Sequence, residues 1–214
     1  MQRSILHAAT VLVALAIGAP AAATTFVFDQ DPFAGTTALT TPGRQVVGGE
    51  PFISFLPGSD VFAFDPTVFD AGDDVRFANE IAGNLPTSGR NIVVLETFDD
   101  DANSGTPFGA GNAANLIAAR VTTDGAGFFI YFNSGLNLPR LVYSTNLSDN
   151  TADLKILARM TNLSGQSGEL VNFSAANFQF LTGVPEPESW ALMILGLGLV
   201  GGYARRGRAA SVEA

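Results

Sequence analysis

Short runs of alternating or continuous apolar residues recur along the middle of the chain and predict β-strands. Glycine, proline, asparagine, aspartate and serine fill most of the gaps between them, which is typical of tight turns. The runs span residues 25–28, 51–56, 60–64, 91–98, 127–133, 140–145, 152–161 and 176–181. Many short strands separated by turns favour an all-β domain. We expect an antiparallel β-sandwich or jelly-roll-like fold with one or two short helices.

Residues 128–160 carry the clearest local prediction, an antiparallel meander of three strands. The first strand ends at the turn Asn133-Ser134-Gly135, and residues 141–143 and 154–160 form the next two. Alternation in the third run places four apolar side chains on one face, namely Leu154, Ile156, Ala158 and Met160. Residues 113–120 follow a glycine-rich break and contain few β-branched residues, so they predict a short helix.

The first 23 residues predict a secretory signal peptide, with its apolar part as a signal helix. Arg3 supplies the basic start, residues 5–18 form the mainly apolar region, and the small residues Ala21 and Ala23 precede Thr24. This order of basic, apolar and small residues is typical of a segment that the export machinery removes. We therefore expect cleavage after Ala23 and an exported domain that occupies residues 24–183.

A proline hinge follows the domain at residues 184–189. Its core is formed by Val184, Pro185, Glu186 and Pro187. Two prolines around a glutamate neither continue a helix nor donate to a strand ladder. We expect this hinge to be extended and accessible to a processing enzyme.

Residues 190–204 predict a transmembrane helix, and residues 205–208 form a basic end behind it. No charged residue lies between Trp190 and Tyr203, and as a helix this stretch spans about 21 Å at roughly 1.5 Å per residue. Because the hydrocarbon core of a bilayer is about 30 Å thick, the helix suits a temporary anchor better than a permanent one. The basic residues at its end favour a cytoplasmic C-terminus, with the domain across the membrane; they are Arg205, Arg206 and Arg208.

The tail resembles a known sorting signal. Pro185-Glu186-Pro187, Trp190-Ala191, the glycine-rich apolar run and the terminal arginines are similar to the PEP-CTERM signal in its PEP-x-x-WA form. The resemblance covers residues 184–209, and the same tail is also labelled an ice-binding protein C-terminal domain, which implies no ice binding here. It implies export by a Gram-negative bacterium and transient anchoring in the inner membrane. An exosortase in that membrane would then cleave near the hinge and release the domain to the cell surface or an exopolysaccharide matrix.

The domain predicted at residues 24–183 is strongly acidic. It carries seven basic and seventeen acidic residues, a net charge of −10. Such a surface disfavours nucleic acid as a partner, and it repels polyanions unless divalent cations bridge them. All 17 phenylalanines of the chain lie between Phe26 and Phe180, and we expect them to build the hydrophobic core.

The exported domain lacks the side chains that most catalytic mechanisms need. The only histidine, His7, lies in the signal peptide, and the chain has no cysteine. This excludes Ser-His-Asp and Cys-His catalysis, and metal centres held by those residues. A glycosidase needs only two carboxylates at a fixed separation. Sugar clefts generally also use aromatic platforms, for which the domain offers only Tyr131 and Tyr143 as amphipathic rings. We predict no catalytic residue.

A run of oxygen-bearing side chains at residues 99–105 is the best candidate for a binding site. Asp99, Asp101 and Asn103 stand at alternating positions, as calcium ligands in a loop do. The glycine of the run lies one place later than in an EF-hand loop, and the twelfth position holds Ala110 instead of an acidic residue. An acidic surface turn is the simpler interpretation, and calcium is the one cofactor that the pattern suggests.

These features predict an exported surface or matrix protein without catalytic activity, with a binding or structural role linked to exopolysaccharide. One alternative is a calcium-dependent glycan-binding module that uses the residues of the 99–105 run. A second alternative, from a different class, is a carboxylate-only polysaccharide hydrolase. The hydrolase, unlike the glycan-binding module, requires two acidic residues that face each other across a cleft.

Overall fold

The computed structural model describes residues 22–181, and this part of the chain is mainly β. Its ten strands are β1 Thr25–Phe28, β2 Val46–Val47, β3 Phe52–Ile53, β4 Val61–Phe64, β5 Phe77–Glu80, β6 Ile92–Leu95, β7 Gly127–Asn133, β8 Leu138–Ser144, β9 Leu154–Met160 and β10 Phe178–Phe180. Two α-helices, α1 and α2, span Pro66–Phe69 and Ala110–Ala118. Short 3-10 helices occupy Ala82–Asn84, Thr161–Leu163, Ser167–Asn172 and Ala175–Asn177. The expected helix near residue 113 is confirmed and begins three residues earlier.

The strands form two sheets, and most neighbouring strands run parallel. The small sheet has the order β1-β4-β10; the large sheet has the order β2-β9-β8-β7-β6-β5, with β3 also paired to β9. Only β7–β8 and β8–β9 are antiparallel among the strand pairs of residues 22–181. The expected meander is therefore confirmed, but a wholly antiparallel fold is wrong. Apolar runs report burial and not strand direction, and connections that include helices let the chain return in the same direction. The sandwich or jelly-roll assignment stays a prediction.

A phenylalanine-rich cluster joins the small sheet to one face of the large sheet. The rings of Phe64 in β4 and Phe128 in β7 stack with centroids 3.7 Å apart. Phe55 stacks on Phe62 at 4.1 Å within the same cluster. Each buried ring contributes about 1.5–3 kcal/mol through removal of apolar surface from water. Most phenylalanines thus build the core as expected.

The opposite face of the large sheet is covered by α2 and the segments around it. Ala113 and Ile117 of α2 are fully buried, in one cluster with Val93 and Phe129 of the sheet. Gly127, at the start of β7, permits this close packing, because a β-carbon there would lie 2.5 Å from Leu147 Cδ1 and 2.6 Å from a backbone oxygen. The large sheet is therefore buried on both faces.

Strand β9 does not keep the simple alternation that its sequence predicts. Leu154 and Ile156 pack in the cluster on the α2 side, whereas Ala158 and Met160 pack in the phenylalanine cluster. The register with β8 shifts here, since Val142 faces Ile156 while Leu141 faces Ala158, which leaves Leu157 as an extra residue. A bulge of one residue moves all following side chains to the other face, so the predicted common face is wrong.

No helix within residues 22–181 is both long enough and apolar enough to cross a membrane. The transmembrane helix predicted at 190–204 and most of the signal peptide lie outside the described residues. At the C-terminal end, the backbone amide of Leu181 donates to the carbonyl of Phe64 at 2.8 Å, directly behind β10. Ordered pairing therefore reaches to three positions before Val184.

Candidate functional site

The residues predicted for sorting lie beyond the described part of the chain. They are Val184, Pro185, Glu186, Pro187, Trp190, Arg205, Arg206 and Arg208. Of the two residues predicted for signal cleavage, Ala21 lies outside the described residues, whereas Ala23 is described and exposed. Strand β1 begins at Thr25, and the amide of Thr24 donates to the carboxylate of Asp60 at 2.9 Å. The sheets thus begin directly behind one predicted processing point and end directly before the other.

The acidic run at residues 99–105 forms an exposed turn between β6 and α2. The carboxylates of Asp99, Asp100 and Asp101 offer oxygen atoms that lie within 4.8 Å of one another. The structure thus brings the predicted ligands Asp99 and Asp101 together. It adds Asp100, which does not belong to the alternating positions of the prediction. The side chain of Asp100 also accepts a hydrogen bond from Asn112 Nδ2 in α2 at 2.9 Å.

Each predicted ligand of that run also holds the turn itself. Oδ1 of Asp99 accepts the amide of residue 101 at 3.1 Å, and Oδ1 of Asp101 accepts the amide of residue 103 at 2.9 Å. Oδ1 of Asn103 repeats the pattern with the amide of Gly105 at 3.1 Å. Asx turns of this type explain the acidic sequence without an ion. Calcium binding at Asp99, Asp101 and Asn103 therefore stays a prediction.

A second polar cluster, which we call the arginine pair, lies at the edge of the large sheet. Its residues are Arg140 and Arg159, held by Glu50 and flanked by Phe52. Oε1 of Glu50 lies 2.5 Å from Arg159 Nε and 3.3 Å from a terminal nitrogen of Arg140. The side chain of Glu50 is 1% exposed, against 13% for Arg140 and 27% for Arg159.

Strand pairing places these side chains in a row. Phe52 in β3 faces Arg159 in β9, and Arg159 faces Arg140 in β8. The segment Gly48-Gly49-Glu50-Pro51 links β2 to β3, both of which pair with β9. Gly49 has φ of 93°, a left-handed conformation that favours glycine and helps turn Glu50 towards the arginines. The sequence does not reveal this cluster, because Glu50 and Arg159 are 109 positions apart.

The electrostatics of the arginine pair keep Glu50 ionised. Burial alone opposes its ionisation, but the hydrogen bond from Arg159 and the charges of both arginines outweigh burial and hold the pKa of Glu50 below its ordinary value. One oxygen, Oε2, is buried without a hydrogen-bond partner among the described residues, and so is Nε of Arg140. The cluster is therefore charged and incompletely satisfied.

The described domain has two cavities lined by acidic residues. One, of about 350 Å³, lies between β1, the β2–β3 link and β9, and its lining includes Asp29, Asp31, Glu50 and Lys155. The other, of about 510 Å³, is polar and lies beyond the end of α2; its lining includes Asp124, Asn146, Ser148 and Asp149. Hydrogen bonds from Ser148 and Asn146 lower the pKa of Asp124, and bonds from Thr151 lower that of Asp149.

The aromatic rings that sequence reasoning offered as sugar platforms are not on the surface. Tyr131 is fully buried, and Tyr143 is 6% exposed. The hydroxyl of Tyr143 donates to the carbonyl of Phe69 at 2.6 Å, and burial together with the nearby charges of Asp70 and Asp31 raises its pKa to about 12. Among residues 22–181, the exposed aromatic rings are instead those of Phe52 and Phe98, at 66% and 42%.

Comparison with known proteins identifies the tail alone. A family model described as the PEP-CTERM protein-sorting motif matches residues 183–209, which confirms the resemblance drawn from the hinge, Trp190 and the arginines. No curated protein and no solved structure matches the chain. A motif of this kind implies an exported protein that is directed to the cell surface and processed by an exosortase at the membrane.

Proposed function

We propose that this chain, which carries the PEP-CTERM sorting motif at residues 183–209, is an exported surface or matrix protein with a binding or structural role linked to exopolysaccharide. The motif is the observation that carries the proposal. In it, residues 1–23 are the signal peptide, residues 24–183 are the exported domain, and residues 184–209 anchor the chain transiently in the inner membrane of a Gram-negative bacterium. An exosortase then cleaves the hinge.

The end of the described domain supports access to that hinge. Strand β10 and the amide of Leu181 are tied to β4, so the sheet ends a few residues before Pro185. Pro185 and Pro187 have no amide hydrogen to donate to a strand ladder or to the interior of a helix. A processing enzyme that acts at the hinge would therefore work next to the paired strands of the domain.

Three carboxylates that line the two cavities give no support to the hydrolase alternative. A glycosidase needs one carboxylic acid with a raised pKa as proton donor. Glu50 in the first cavity, and Asp124 and Asp149 in the second, have pKa values that are shifted downwards. These three groups are therefore poor proton donors near neutral pH, which disfavours the hydrolase alternative.

A hinge variant tests the sorting part of the proposal in a cell that produces the protein. Pro185→Ala combined with Pro187→Ala should leave the chain in the membrane fraction, while the wild-type protein reaches the matrix fraction. Pro42→Ala, an exposed proline in a turn of the domain, serves as the matched control. Equal release of the hinge variant would contradict cleavage at this place. Wild-type protein that is released but never found with the exopolysaccharide would contradict the matrix role.

The calcium-dependent glycan-binding module is a second candidate, favoured by the close approach of the carboxylates at 99–101. It predicts heat on titration with calcium and loss of that heat in Asp101→Ala. A titration without heat in the wild-type protein would remove this candidate and leave the sorting proposal untouched.

A further inference from the structure

The arginine pair carries a positive charge that Glu50 does not neutralise. Arg140 and Arg159 face each other in neighbouring strands, where like charges are destabilising unless they are compensated. Glu50 compensates one charge, so the cluster keeps a net charge of about +1 by simple formal counting. The exported domain as a whole has a net charge of −10. A surplus cation held by a buried carboxylate is therefore an exception in this domain.

Most N–H donors of the two guanidinium groups have no acceptor among residues 22–181. An arginine side chain has five N–H donors. Within residues 22–181, the side chain of Arg159 donates only through Nε, to Glu50, and the side chain of Arg140 makes no hydrogen bond of normal geometry. Since Arg159 is 27% exposed, part of its fork is open to a ligand. Planar forks of this type bind carboxylates with two parallel hydrogen bonds.

Phe52 gives the arginine pair an apolar neighbour. The guanidinium carbon of Arg159 lies 5.0 Å from the centroid of the Phe52 ring, which fixes the arginine by a cation–π contact. The ring is 66% exposed, although most phenylalanines of the chain are buried. A cation beside an exposed aromatic surface matches a ligand that carries a carboxylate next to an apolar ring face. Sugars with a carboxylate, such as uronates, have this chemistry.

We infer that Arg159, Arg140 and Phe52 form a binding site for a carboxylate-bearing sugar. The site rests on the proposed function, because it names the class of matrix sugar that the domain binds. The charge of the domain limits the ligand further. A dense polyanion is repelled by a net charge of −10, whereas one uronate between neutral sugars is not. The ligand is therefore an isolated uronate residue of a mostly neutral polysaccharide.

The test compares two probes that differ by one carboxylate. Xylotriose with a single glucuronate branch and unbranched xylotriose are titrated calorimetrically into the full-length chain, held in a polyoxyethylene detergent that has no sugar head group. The branched probe should bind and the unbranched probe should not. Arg159→Gln should weaken binding about tenfold or more, since hydrogen bonds to charged groups are lost. Arg120→Gln, at an exposed arginine elsewhere, should bind as the wild-type protein does.

Several results would overturn the site. Equal affinity for the two probes, or unchanged affinity in a folded Arg159→Gln, excludes it. If Arg159→Gln does not fold, Phe52→Leu decides, because it leaves the ion pairs in place and removes only the ring; unchanged affinity there overturns the proposal. A capped glutamate peptide that binds as tightly as the branched probe would exclude a sugar ligand. If the wild-type protein is found in the matrix but does not bind the branched probe, the site is excluded and the proposed function still stands.

A different observation concerns Asp60, which is 3% exposed and has no cationic side chain within 4.0 Å among the described residues. Its carboxylate accepts hydrogen bonds from the amides of Thr24 and Leu56, both at 2.9 Å, and from the hydroxyl of Ser59 at 3.3 Å. Buried carboxylates are usually paired with a cation. The nitrogen of Thr24 belongs to the peptide bond at which we expect signal cleavage.

We infer that removal of the signal peptide supplies the missing cation. Hydrolysis of the bond between Ala23 and Thr24 consumes one water, leaves a carboxylate on Ala23 and turns the Thr24 amide into an amine. An α-amino group has an ordinary pKa of about 7.7–8.0, so it is protonated at neutral pH. The same nitrogen that donates to Asp60 then becomes an ammonium group. The processed chain is therefore more stable than its precursor.

Two otherwise identical chains that begin at Thr24 test this pairing, one with a free amine and one with an acetylated amine. Acetylation keeps an N–H donor and removes the charge. The free-amine chain should unfold at a higher temperature at pH 6. Pairing with Asp60 would raise the pKa of the amine in the folded state, so the advantage would be complete below the ordinary pKa and would disappear as pH rises through the raised one. Equal unfolding temperatures at pH 6, or a difference that does not change with pH, would overturn the pairing.

Discussion

Glu50 and Asp60 are both buried carboxylates, yet the fold satisfies them in opposite ways. Glu50 is held by two arginine side chains from distant strands. Asp60 is held by backbone amides and a serine hydroxyl, and among residues 22–181 no cationic side chain lies within 4.0 Å of it. One carboxylate is thus compensated by side chains that the large sheet brings together, whereas the other lies next to the predicted signal cleavage point, where we propose that processing supplies a cation. The sequence alone does not show the hydrogen-bond or ion-pair partners of either carboxylate.

The largest effect is expected from Glu50→Gln. It leaves two arginines facing each other without their shared anion, and loss of one partner of a buried ion pair costs about 3–5 kcal/mol. Because Arg159 is partly exposed, we expect the free energy of unfolding to fall by about 3 kcal/mol in urea titrations. Glu80→Gln, at an exposed glutamate, is the control and should change it by less than about 0.5 kcal/mol. A small effect at both positions would mean that the arginine pair does not stabilise the sheet.

Asp60→Asn should have a smaller effect, and one that depends on the N-terminus. An amide side chain keeps part of the hydrogen bonding, so we expect a loss of about 1–3 kcal/mol in the chain with a free Thr24 amine. The same substitution should cost less in the acetylated chain, since no ammonium is lost there. Urea titrations of the four proteins give this coupling directly, and equal losses in both backgrounds would contradict it.

Acid titration tests the contribution of ionised Glu50 to stability. The pKa of Glu50 is lowered in the folded protein, so its contribution to stability is complete above the ordinary value of 4.5 and is lost as pH falls through the folded value. Unfolding temperatures of the wild-type protein should therefore fall below pH 4.5 more steeply than those of Glu50→Gln. Parallel curves for the two proteins would show that Glu50 does not titrate as proposed.

Some elements of the structure could be predicted from the sequence, and others could not. The meander of β7, β8 and β9 and the phenylalanine core were predictable, because alternation and short turns are local signals. The bulge at Leu157 and the parallel pairs were not, because they depend on which segments meet. The arginine pair shows this most clearly, since Glu50 looks like an ordinary loop glutamate until β3 pairs with β9. The acidic run at 99–105 was conspicuous in sequence, yet its side chains mainly hold their own turn.

The smallest effect is expected in that acidic run. Asp101→Ala removes an exposed side chain and one Asx turn, so the unfolding temperature without calcium should stay close to that of the wild-type protein. If the run is only a turn, calcium should leave the unfolding temperatures of both proteins unchanged. An increase with calcium in the wild-type protein alone would place the run among the binding sites.

Intact-mass spectrometry of the protein on the surface of producing cells tests whether the chain is exported and processed at both ends. We predict a chain that begins at Thr24 and ends near the Pro185-Glu186-Pro187 hinge, without Arg205, Arg206 and Arg208. Surface protein that still begins at Met1 or still carries the terminal arginines would contradict it.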